Sequence, residues 1–173
     1  MPLPPGIFAL KTAADLLGKL ESDFAQLHTD PTDPYVCFNF FVTAEHMPEW
    51  YYEGDTKRAG QFRQRYALLR VCSQLASGAK HFETKDKKHV SIGATNHSEV
   101  VTITFAPGSR QPPQRSARPA FVMGLEPAEF AEMGGITITA DELAEKLITF
   151  WRAQLKVRPP WPLDPVSAAP QTK

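Results

Sequence analysis

The chain reads as an α+β protein: a three-helix core, a small antiparallel sheet or hairpin, and a C-terminal helix packed back on it. Three observations predict this. Apolar residues recur at helical spacing across residues 12–82, a β-branched run stands at Val100–Phe105, and a second amphipathic helical pattern follows Thr139. With 173 residues, 42% apolar and 22% charged, the chain suits one globular domain with a real core. That domain is expected over residues 1–157, with its helical part at 12–82 and its strands and last helix at 90–157. Residues 158–173 are expected to form an extended proline-rich tail.

The first helix is expected from Thr12 to about Leu27, where Ala13, Leu16, Leu17, Leu20, Phe24 and Leu27 make one stripe. Thr12 is a candidate N-cap, and Asp15 three positions on approaches a capping box. The segment Thr29-Asp30-Pro31-Thr32-Asp33-Pro34 stops that helix; Asp33 can cap the next one, with Pro34 at its first position. The second helix runs to about Met47 and is apolar over most of its circumference, which predicts a central place. Pro48 is expected to end or kink it, leaving residues 48–60 as loop or bent continuation. A third helix is expected from Gln61 to Ser77, with Gly78 as a terminating cap or a site of close helix packing.

After Phe82 the pattern changes. Residues 83–89 read as a charged loop. Phe121–Met123 and Ile136–Ile138 are short strand candidates, and residues 107–118 read as a mobile loop. Thr139 caps a last helix to about Leu155, with Asp141 and Glu142 in its first turn. No internal repeat is visible.

Net charge is zero but unevenly laid out. Residues 1–56 hold two bases and nine acids, net −7; residues 57–89 hold nine bases and two acids, net +7. Neighbouring helices that neutralise each other account for this, and a basic face for phosphate or nucleic acid is the sharper alternative. No run reaches the roughly 20 apolar residues of a membrane span, and the first residues lack the pattern of a signal peptide. Cys37 and Cys72 sit inside apolar helical patterns and are read as reduced thiols, which fits a cytoplasmic protein.

Two helical stripes carry the candidate chemistry. On the second helix Asn39, Thr43, His46 and Trp50 form a polar line that could bind a ligand or hold a general base, or could simply contact polar neighbours. On the third, Arg70, Gln74, Ser77 and His81, beside Lys80, offer a cation for phosphate and a titratable imidazole, or a solvated face. No metal-ligand spacing, phosphate-binding glycine loop or nucleophile elbow occurs, so no metal and no cofactor is expected. Cys72 and His81, nine helical residues apart, lie about 13 Å from each other along an axis and cannot touch unless Gly78 bends the chain sharply. If the second and third helices form an antiparallel hairpin, His46 and His81 stand roughly 27 Å apart. His46 is then a packing residue, and His81 the better functional candidate.

The segments FNFFVTAEHMPEW and LRVCSQLASGAKHF resemble small uncharacterised bacterial helical proteins, themselves loosely similar to HEPN-type domains of RNA-cleaving toxins and phage-defence systems. The likeness covers about residues 12–82. It implies His81 as the matching catalytic histidine, and a metal-independent ribonuclease completed across a dimer, with Arg70 or Lys80 holding phosphate. Such enzymes place an arginine shortly before that histidine on one helix; here Arg70 is the nearest upstream arginine, with ten residues between. The leading expectation is therefore a non-enzymatic intracellular accessory or interaction protein, of bacterial or mobile-element origin and linked to defence. A protein partner or self-association is expected, with RNA as the alternative partner and no membrane.

Overall fold

A computed structural model describes residues 10–80, 91–104 and 114–157 of the chain. The architecture is α+β. Four helices, α1 (Ala13–Thr29), α2 (Pro34–Tyr51), α3 (Thr56–Arg65) and α4 (Ala67–Lys80), precede a hairpin of β1 (Ile92–Thr104) and β2 (Gln114–Leu125). A 3-10 turn (Pro127–Glu129), the short α5 (Phe130–Met133), β3 (Thr137–Thr139) and α6 (Ala140–Val157) complete it.

Local chemistry sets the helix starts. Thr12 and Asp15 form a full capping box on α1. Asp33 caps α2, accepting from the backbone N–H of Tyr35 and Val36, with Pro34 behind it. Thr139 and Glu142 exchange side-chain and backbone bonds at the head of α6.

At Pro48, where an end or a bent continuation is expected, α2 continues to Tyr51, and two further expectations need correction. Proline costs a helix one hydrogen bond and crowds the preceding turn; here its ring is fully buried and its carbonyl accepts from Tyr52 N–H at 3.1 Å. The expected third helix is two helices, broken at Tyr66, whose backbone is extended at φ −119°, ψ 125°. Side chains satisfy the break: Glu132 Oε2 accepts from Ala67 N–H at 2.8 Å, and Arg70 Nη1 donates to the Gln64 carbonyl. Gly78 neither ends α4, which reaches Lys80, nor admits a close neighbour, since a Cβ there would meet nothing within 4 Å.

The strands are also longer than expected. The sheet order is β1-β2-β3, all antiparallel, and β1 pairs with β2 from Ile92↔Leu125 to Thr104↔Gln114. Residues 114–118, read as loop, are strand; the remainder of that loop, the charged segment 83–89 and the tail 158–173 lie outside the described residues. Strand β3 covers only Val122–Gly124 of β2.

Helix α6 packs on α1, α2, α4 and the β2–β3 corner and so joins the two halves. Leu143, Leu147 and Trp151 are wholly buried along it. Around Trp151, the rings of Tyr51, Phe62 and Phe150 meet with centroids 5.2 to 6.0 Å apart. Helices α2 and α4 pack on each other. Arg63 of α3 pairs with Glu45, Ser73 bonds Glu45, Cys72 reaches the Phe41 carbonyl, and Leu75 lines one groove with Phe38 and Phe41. The acidic α2 thus takes charge from the basic helix that follows it.

Candidate functional site

The α4 stripe is built into the fold. Arg70 Nε donates to Glu129 Oε1 at 3.0 Å, its Nη2 contacts the other Glu129 oxygen, and Glu132 stands at 3.5 Å. Ser91 Oγ donates to Glu129 Oε1 at 2.8 Å. Burial pushes the Glu129 carboxyl up, but the hydrogen bonds from Arg70 and Ser91 and the guanidinium charge outweigh it and hold Glu129 below the ordinary carboxylate range. One turn on, the Gln74 amide closes around the head of β1. Its oxygen accepts from Ser91 N–H and Ile92 N–H, and its nitrogen donates to the Ile92 carbonyl at 3.0 Å. The stripe therefore clamps α4 to β1 and α5. Ser77 is half-buried, Lys80 ends α4, and His81 lies outside the described residues.

The α2 line divides. Thr43 is buried, donating to the Asn39 carbonyl at 2.8 Å and sharing a cluster with Asp23 and Lys19 that ties α2 to α1. The Asn39 side chain is exposed. His46 is half-buried, its Nδ1 3.6 Å from Glu49 Oε2. Thus Arg70 and Gln74 meet in one cluster, and Asn39 and Thr43 in another on the far side of the helical layer. Among the described residues no group of three or more His, Cys, Asp or Glu is placed to hold a metal, and no helix is long and apolar enough to cross a membrane.

A further feature belongs to neither stripe. A groove of about 430 Å³ lies where the first turns of α2 face Leu75 of α4, the head of α6 and the sheet. Phe41, Cys37, Phe121 and Met123 form its lining, with Tyr35 and Phe38 at the rim. Tyr35 is 79% and Phe38 41% exposed, and among the described residues Ile136 is the one other large apolar side chain that is exposed. Burial pushes the Cys37 thiol up to about 11, aided by the charges of Asp33, Asp30 and Asp141. Asp141 is paired with Arg118 at 2.6 Å, which leaves Asp30 and Asp33 as the acids beside that apolar wall. The sequence carried one sign of this groove: α2 is apolar around more of its circumference than a core contact requires. That was read as burial alone, because the sheet and α6 residues of the far wall are distant in sequence.

The chain matches no protein-family model, no curated protein and no solved structure to which it was compared.

Proposed function

We propose that this chain is a non-enzymatic accessory protein of the cell interior. Its working surface is the α2 groove, and its partner is an apolar peptide segment flanked by a basic residue. The observation that carries the reading is the groove itself: two aromatic side chains stand in solvent over an apolar floor of ligand-binding size. Exposed aromatics cost free energy in water and repay it on docking. Asp30 and Asp33, just before α2 and near Cys37, add a preference for a cationic flank. On this reading Arg70 is structural, since its donors face Glu129, Glu132 and the Gln64 carbonyl rather than an open surface.

The test uses a fluorescent leucine-tryptophan peptide with an arginine at each end, and its glutamate-flanked counterpart. The parent protein should bind the first at least tenfold more tightly at low salt, and Phe38→Asp should abolish that binding while leaving the circular dichroism unchanged. Equal affinity for both peptides, or unaltered binding by Phe38→Asp, would overturn the reading. The alternative, a HEPN-type metal-independent ribonuclease acting as a dimer through His81, is decided alongside. RNA cleavage by the parent that is lost in His81→Ala would replace the accessory role with an enzymatic one.

A further inference from the structure

We infer that β1 is a self-pairing edge, and that two copies join through it into one continuous antiparallel sheet of order β2-β1-β1-β2. This stands apart from the groove and rests on different observations. Beyond β3, eight consecutive pairs, from His97↔Phe121 to Thr104↔Gln114, form a ribbon of two strands with no third strand among the described residues. Ser98 and Glu99 on one strand and Ser116, Ala117 and Pro119 on the other are exposed. A two-stranded ribbon in water is marginal, and three or more strands are needed for independent stability.

The two edges of this ribbon are not equivalent. Strand β2 carries Arg115 and Pro119 along its free stretch, and its Arg118 is tied to Asp141 of α6 at 2.6 Å. Charged side chains and proline, which has no N–H to offer, blunt an edge against pairing. Strand β1 has no proline, its one carboxylate in the free stretch is Glu99, and its one irregularity, between Ile92 and Ala94, lies before the ribbon begins. Its free stretch ends in five β-branched residues, Val100 to Thr104, the composition that pairs most readily.

The strand is also complementary to itself. A two-fold axis at Val101 sets Val100 opposite Thr102, Glu99 opposite Ile103 and Ser98 opposite Thr104, so no charge faces another. Each copy offers its backbone donors and acceptors to an edge that no other strand among the described residues pairs, the strand-addition mode of recognition.

The measurement is the mass of the full chain in solution by light scattering after gel filtration. The parent should run at twice the chain mass at micromolar concentration. Val101→Lys, which sets two ammonium groups against each other on the axis, should halve that mass. Because lysine could also disturb the hairpin, Val101→Cys gives an independent reading. Directly opposed strand residues lie within disulfide range, so mild oxidation should yield a covalent dimer, whereas Ser116→Cys on the guarded strand should not. A parent that is monomeric throughout, a Val101→Lys protein that stays dimeric, or equal cross-linking of the two cysteine variants would overturn the proposal.

Discussion

At the scale of single residues, the stripe with the best catalytic appearance turns out to be held by carboxylates. Arg70 is the only cation in contact with Glu129 among the described residues, and Glu129 is 3% exposed. Removing one partner of a buried pair leaves the other charge uncompensated, which costs far more than the pair contributes. Arg70→Ala is therefore expected to lower stability by about 3 kcal/mol at neutral pH, read by urea unfolding. The pH dependence gives the sign. In the parent, Glu129 titrates below its unfolded value, so its contribution is present above that value, near pH 4.3, and is lost as pH falls through the folded one. In Arg70→Ala the guanidinium no longer lowers the carboxyl, and the Ser91 hydrogen bond alone opposes burial, so the carboxyl rises and the variant gains relative to the parent on acidification. The stability gap should narrow from pH 7 toward pH 4; a constant gap would mean that Arg70 acts through packing instead.

At the scale of elements, the contrast between Gln74 and the helix caps explains what could be read in advance. A cap is a local device: Thr12 with Asp15, Asp33 with Pro34, and Thr139 with Glu142 each act within three residues, and all three helix starts were legible. The break at Tyr66 was not, because the carboxylate that satisfies it belongs to Glu132, 65 residues beyond Ala67. The groove was not legible for the same reason, since α2, α4, α6 and two strands must converge to make it. Gln74 is the long-range counterpart of a cap, one amide serving three backbone groups at the head of β1. Gln74→Leu should leave those buried groups without partners at a cost of about 2 kcal/mol. By hydrogen exchange, protection of the Ser91 and Ile92 amides should fall about thirtyfold. Loss spread evenly over all elements would show that the amide does not serve β1 in particular.

At the scale of the whole molecule, α6 decides whether the helical layer and the sheet unfold together. Its buried face meets α1, α2 and α4 on one side and β2 and β3 on the other. A residue buried there is therefore felt by both halves. Leu147 is 0% exposed and belongs to the single cluster that joins Leu16, Phe40 and Cys72 to Met123 and Ile138. Leu147→Ala removes three methylene equivalents of buried surface and leaves a cavity, a loss of about 3 kcal/mol, or roughly 10 °C in midpoint for a chain of this size. Because the cluster is continuous, the loss should lower one shared transition. Far-ultraviolet circular dichroism, dominated by the helices, should then give the same midpoint as exchange protection of the β2 amides, in parent and variant alike. If the sheet were a separable unit resting on the helices, the variant would split into two transitions, with β2 melting first. The burial of Met123 and Ile138 against the α6 side chains favours the single transition.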